Sequence, residues 1–257
     1  MKIAIITGAS SGMGREFARQ AENLYKDLDE IWVIARRKER LLSLKNQLLT
    51  NVRIFEGDLL EKEIYVELES MLKEMKQKDM NPDIRMLVNA AGFGKIGKVK
   101  EIPCEQQLEM IHLNCIALTH MTKLCIPYMS NGSRIINLAS AAAFCPQPSF
   151  GVYAATKSYV LSFSRSLRME LKDEQIFVTA VCPGPVATEF FQVAGKKEKN
   201  SIKDAVTVKP EKVVKQALLD AKVKKEISVY GIPMKLSRIA SKLIPHALIL
   251  KIMKAFW

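Results

Sequence analysis

Histidine is nearly missing from this sequence. Only His112, His120 and His246 occur in 257 residues, too little material for a histidine-based metal site. The five cysteines, Cys104, Cys115, Cys125, Cys145 and Cys182, are odd in number and widely separated, with no C-x-x-C or zinc spacing. They read as reduced, structural thiols, and no catalytic metal is expected. Long hydrophobic runs are lacking too. The N-terminal MKIAIITGAS carries an apolar run only from Ile3 to Ile6 before a turn signal, too short for a signal peptide or a membrane span, so cytoplasmic residence is the expectation. Acidic residues are scarce toward the C-terminus: residues 196–257 hold 15 Lys or Arg against 5 Asp or Glu, which is +10 of the chain's net +12. The near-neutral remainder argues against a nucleic-acid binder. The basic end is a solvated face or a surface for an acidic partner or anionic lipid.

The chain does have enough apolar material for one large core, with 48% hydrophobic residues. Short β-branched or aliphatic runs recur at 2–6, 31–35, 52–55, 86–89, 134–138 and 177–181, each fit for a fully buried strand. Helical spacing fills the gaps, at 13–26, 37–49, 62–78, 105–129 and 151–172. Strand alternating with helix predicts a single α/β domain over 1–257: a doubly wound parallel sheet, Rossmann-like, in three α/β/α layers. The stretch 188–209 breaks the rhythm and reads as a functional insertion. Two helical patterns follow it, 210–225 and 234–257, the latter split by Pro245.

The first strand runs into TGASSGMGREFA, with Gly8, Gly12 and Gly14 ahead of a helix beginning near Met13. Glycines between a strand and a helix N-terminus let a pyrophosphate approach backbone N–H groups, and also suit a plain strand-to-helix turn. Farther on, VYAATKSYV sets Tyr153 and Lys157 four apart, on one helix face, where they could act on one ligand or form an exposed surface pair.

These motifs together resemble the short-chain dehydrogenases/reductases. TGASSGMG is similar to their cofactor loop, NAAG (Asn89, Ala90, Ala91, Gly92) to the turn after their fourth strand, and 138–157 to their active-site stretch. PGPVATEF is similar to the segment that holds the nicotinamide. The match covers roughly residues 3–190. The resemblance implies an oxidoreductase that interconverts carbonyl and alcohol by hydride transfer. Tyr153 would be its acid/base, Ser140 would bind the substrate carbonyl, Lys157 would grip the nicotinamide ribose, and Asn114 would support a proton relay. A lysine ammonium beside a phenol is expected to favour the phenolate. The implied cofactor contacts are Gly8, Ser10, Ser11, Gly12, Met13 and Gly14, then Asp58 and Leu59 after the third strand, Asn89 to Gly92, Tyr153, Lys157, and Pro183, Gly184, Val186 and Thr188.

Arg36 and Arg37 follow Ala35 at the end of the second strand, where users of NAD carry an acid. A guanidinium there suits a 2′-phosphate, so NADP (NADPH) is the expected cofactor. The glycine loop itself offers Ser10 and Ser11 rather than a basic residue. Ala141, Ala142, Ala143, Phe144, Phe150, Phe190 and Phe191 suggest an apolar pocket for a small-molecule ketone or secondary alcohol, whether steroid, acyl or small ketone. Two other readings are a catalytically silent NADP-binding sensor or scaffold, and a reductase of carrier-linked acyl chains. A homo-oligomer, dimer or tetramer, is expected. In 234–257, Leu236, Ile239, Leu243, Leu248, Ile249, Ile252, Met253 and Phe256 recur at helical spacing beside Lys235, Arg238, Lys242, Lys251 and Lys254. This segment is expected to pack over the substrate mouth or a subunit contact, in preference to a peripheral, salt-weakened membrane contact.

Overall fold

The computed structural model describes residues 1–195 and 207–254. Seven parallel strands form one sheet in the order β3-β2-β1-β4-β5-β6-β7. They are β1 (Lys2–Thr7), β2 (Glu30–Ala35), β3 (Asn51–Glu56), β4 (Asp83–Asn89), β5 (Arg134–Leu138), β6 (Phe177–Val181) and β7 (Ile227–Ser228). The six expected strands all form. The seventh, two residues long, carries too little pattern to be read from sequence and is held by pairing Ala180 with Ile227.

The central β1 shows why its run is continuously apolar. Ile3 and Ile5 point into a core made with α3 (Glu63–Gln77), α5 (Leu118–Cys125) and α6 (Gly151–Glu170). Ala4 and Ile6 point into the opposite core, made with α1 (Gly12–Leu24), α2 (Lys38–Lys45) and α8 (Pro210–Lys222). A strand buried on both faces has no polar face to alternate with.

The pattern expected as one helix over 105–129 is interrupted. It forms α4 (Cys104–Ile111), a π-helical stretch at His112–Ala117, α5, and a 3₁₀ turn at Ile126–Tyr128 around Pro127. Inserted π turns mark functional sites more often than chance, and this one holds Asn114.

A buried polar chain then fixes α6 on the sheet. Asn89 Nδ2 donates to Thr122 Oγ1 at 3.0 Å and to Asn137 Oδ1 at 2.9 Å, and Asn137 Nδ2 donates to Ser164 Oγ at 3.0 Å. Polar groups withdrawn from water cost free energy unless paired, so this chain admits one seating of α6. The position of Tyr153 and Lys157 follows from it.

The remaining elements are short. α7 (Phe190–Val193) sits at the start of the 188–209 insertion, of which 196–206 lies outside the described residues. Its far end returns to the domain, where Val208 N donates to the Pro185 carbonyl at 3.1 Å. α9 (Ile232–Leu243) and α10 (His246–Lys254) are the two halves expected on either side of Pro245. Among the described residues no helix is long and apolar enough to cross a membrane.

Candidate active site

The sheet order reverses between β1 and β4, and the loops leaving these strands at their carboxyl ends open a crevice there. Thr7, the last residue of β1, closes its floor. Its Oγ1 accepts from the backbone N–H of Ala90 at 3.0 Å and of Ala91 at 3.1 Å, drawing the loop after β4 onto the glycine loop. Gly8 makes that approach feasible: it has φ +67°, and a Cβ on it would lie 2.8 Å from Ala91 N. A residue that sequence pattern assigns to the ligand is thus also needed to bring two loops together.

Two adjoining cavities fill the crevice. The larger, about 480 Å³, is lined by Gly8, Ser10 to Gly14, Arg36, Arg37, Asp58, Leu59 and Ala90 to Gly92. The smaller, about 290 Å³, is lined by Ser140, Tyr153, Lys157, Pro183, Gly184 and Val186. Met13, Ala90, Gly92, Leu138, Thr188 and Phe190 belong to both, so the two are continuous. Of the expected catalytic and cofactor-binding residues, all line this crevice except Asn89 and Asn114. Asn89 is buried behind it in the polar chain that seats α6. Asn114 stands one layer back: its Nδ2 donates to the Phe93 carbonyl at 2.9 Å and to Thr156 Oγ1 at 3.0 Å, and its Oδ1 accepts from Phe93 N at 3.1 Å. A Cβ on Gly92 would come within 2.7 Å of Asn114 Oδ1 and 3.4 Å of Lys157 Nζ. The missing side chain therefore leaves open a point shared by these two polar ends.

In the smaller cavity Tyr153 is clamped between Phe150, stacked at 4.3 Å, and Phe190, tilted at 5.3 Å. Ser140 caps the short 3₁₀ turn Ala141–Phe144, its Oγ accepting from Ala142 N at 3.1 Å, which leaves the hydroxyl hydrogen to donate. Burial pushes the Tyr153 phenol up to about 12, with the Ser140 hydrogen bond opposing. Lys157 Nζ, 5.7 Å from the centre of the Tyr153 ring, donates to the Leu138 carbonyl at 2.7 Å. Burial lowers it to about 8. The expected easing of Tyr153 toward phenolate by Lys157 is absent from this arrangement. Desolvation of both groups outweighs their proximity and favours the neutral phenol.

The apolar wall differs in part from the expected one. Ala141, Ala142, Phe150, Phe190 and Phe191 line the smaller cavity, together with Ile96, Cys145 and Met234. Ala143 and Phe144 do not. The turn that presents Ser140 directs Phe144 into a separate apolar cluster with Val160 and Cys182.

At the opposite end the charges are exposed and mutually paired. Arg37 donates to Ser10 Oγ (3.2 and 3.1 Å) and to Ser11 Oγ (2.7 Å), so its guanidinium lies on the glycine loop. The Glu189 carboxylate, arriving from the start of the insertion, bridges Arg37 at 2.9 Å and Arg40 at 2.5 Å. These two guanidinia hold it below the usual carboxylate range. Arg36 pairs with Asp58 at 3.2 Å, and Asp58 also accepts from Leu60 N at 3.0 Å in a tight turn. Arg40 lies outside the expected site residues, and its spacing three residues after Arg37 was the available signal. Glu189 and Met234 fall within expected segments, PGPVATEF and 234–257, without having been singled out in them.

The larger cavity fits a dinucleotide phosphate. The N-terminus of α1 has no acidic residue in its first turn and no side-chain cap, so its N–H groups and positive dipole end are free for an anion, with three arginines at hand. No group of three or more His, Cys, Asp or Glu side chains among the described residues is arranged to hold a metal.

Comparison with known proteins accords with the geometry. The family model described as short chain dehydrogenase matches residues 2–199, and the chain belongs to that family of oxidoreductases. It is 34% identical over 224 residues to the NADP-dependent 3-hydroxy acid dehydrogenase of Escherichia coli, covering 82% of this chain and 85% of that one. It is 32% identical over 212 residues to an uncharacterized oxidoreductase of Staphylococcus epidermidis, covering 80% and 89%. Among solved structures, the closed form of a serine dehydrogenase complexed with NADP+ superposes with a TM-score of 0.76 at 30% identity, covering 90% of this chain and 94% of the other.

Proposed function

We propose that this protein is an NADP(H)-dependent reductase or dehydrogenase that interconverts an apolar ketone and its secondary alcohol, with Tyr153 as the acid/base. The observation that carries the reading is the joining of Tyr153 and Ser140, in one small apolar cavity, to a nucleotide-sized cleft rimmed with arginine. When bound, the cofactor supplies the hydride for the carbonyl carbon. The chain's own residues do the rest. The Ser140 hydroxyl donates to the carbonyl oxygen and stabilises its developing charge. Tyr153, kept neutral by burial, gives that oxygen its proton in the reductive direction. Lys157, held by Leu138, would hold the ribose of the cofactor, and a proton it passed toward Tyr153 would be restored from solvent. Asn114 is a positioning residue: it clamps the Phe93 backbone and sets the spacing around Gly92.

Arg36, Arg37 and Arg40 favour the 2′-phosphate of NADP. A guanidinium matches a phosphate fork-to-fork, whereas the ribose hydroxyls of NAD would want a carboxylate. The names of the relatives from Escherichia coli and of the serine dehydrogenase complex point the same way. The deciding assay offers a panel of ketones and alcohols with each of the four nicotinamide cofactors and follows nicotinamide absorbance. Turnover with NADPH exceeding that with NADH is expected. Absence of turnover with bound NADPH would leave a cofactor-binding scaffold.

A further inference from the structure

The two faces of α9 lead different lives. On the inner face Met234 packs against Gly184 and, with Ser237, lines the smaller cavity. On the outer face, about 180° round the helix at ~100° per residue, Ile232, Leu236, Ile239 and Leu243 form a stripe. These side chains are 72%, 60%, 55% and 78% exposed, and Leu248 of α10 continues the surface at 51%. Isolated exposed aliphatics are ordinary, whereas a contiguous row of them is a binding surface. Lys235 and Lys242 lie along one flank of the stripe, Arg238 stands nearer the inner face, and Lys251 follows on α10. Residues 227–257 contain no Asp or Glu at all. An apolar stripe flanked by lysines, on helices that carry no acidic residue, fits a sheet of apolar chains under anionic headgroups. A copy of this same cationic face would repel it.

We infer that the outer face of α9 and α10 docks the protein on an anionic lipid surface. Because the same helix lines the substrate cavity through Met234 and Ser237, docking sets the cavity mouth beside the bilayer. The second half of the inference rests on the proposed oxidoreductase reading: the substrate is an apolar ketone or alcohol that partitions into lipid and enters from it. This reverses the preference expected from sequence, since the stripe turns away from the domain. The expected packing over the substrate mouth falls to the inner face alone.

Flotation of the full chain with vesicles of equal parts phosphatidylglycerol and phosphatidylcholine, against phosphatidylcholine alone, tests the docking. The chain should float with the anionic vesicles, release as salt rises, and lose about tenfold in bound fraction in the Leu236→Glu/Leu243→Glu variant. Both positions are exposed, so folding should survive, and an unchanged melting temperature checks it. No flotation with either vesicle overturns the inference. So does a wild type that sizes as an oligomer while the variant sizes as a monomer, which would make the face a subunit contact. Turnover separates the two halves. The variant should keep its rate on a short water-soluble ketone and lose several-fold on a long-chain ketone presented in anionic vesicles. Equal rates on both substrates would overturn the lipid-delivered substrate. Flotation in a protein that turns over no carbonyl would uphold docking while removing the oxidoreductase reading.

Discussion

Charge is handled in opposite ways at the two ends of the crevice. At the arginine end the ionised groups are open to water, Arg36 to 71%, and hold one another in pairs that are individually worth little. At the tyrosine end no carboxylate among the described residues pairs with Lys157, whose partner is the Leu138 carbonyl, and burial raises the Tyr153 phenol and lowers the Lys157 ammonium instead. A change of charge at the first end should therefore alter what binds. At the second it should alter what reacts, and how stability follows pH.

The sharpest way to break this contrast is Tyr153→Phe. The ring still packs between Phe150 and Phe190, and only the proton-carrying hydroxyl is lost. Turnover should fall by about 10²–10⁴ with NADP affinity nearly unchanged, as read by steady-state kinetics and fluorescence titration. Near-normal kcat would end the acid/base role.

Charge reversal at the open end comes next. Arg36→Asp should turn the preference from NADPH to NADH by on the order of tenfold, with kcat on the preferred cofactor retained. Equal affinities in the parent protein would refute the assignment.

Lys157 tests the buried end through stability. Its folded pKa of about 8 lies below the ordinary 10.5, so between those values the unfolded chain binds a proton that the folded one does not. Its contribution is full above 10.5 and is lost as pH falls through about 8. Tyr153 runs the other way: raised from 10.0 to about 12, it contributes below 10 and loses that contribution as pH climbs toward 12. Lys157→Met should abolish turnover and weaken cofactor binding, yet flatten the rise in melting temperature between pH 8 and 10.5 and leave the variant no less stable at pH 7. An unaltered pH profile of melting would show that Lys157 is solvated.

The smallest effect is expected at Glu189. Its carboxylate sits on the guanidinia of Arg37 and Arg40, where the 2′-phosphate of NADP would compete with it. Glu189→Gln should tighten NADP binding by roughly two- to fivefold and leave NAD binding unchanged, measured by calorimetry. Looser NADP binding would mean that Glu189 supports the arginines more than it blocks them.

Sequence alone determined the alternation of strand and helix, the glycine loop opening α1, the arginines after β2, and the i, i+4 pairing of Tyr153 with Lys157. Each of these is a pattern within a few turns of chain, where backbone geometry fixes which side chains face together. Tertiary structure decided what depends on distant segments meeting. Asn89 went behind the crevice because Thr122 and Asn137 accept from its amide nitrogen there, while Phe144 left the pocket because the turn capped by Ser140 points it elsewhere. Glu189 reached Arg37 and Arg40 across about 150 residues of chain. The directions in which Tyr153 and Lys157 are shifted arise in the same way. Neighbours in sequence suggested a phenolate, but desolvation is a sum over every segment that excludes water, and that sum exists only once the chain has folded.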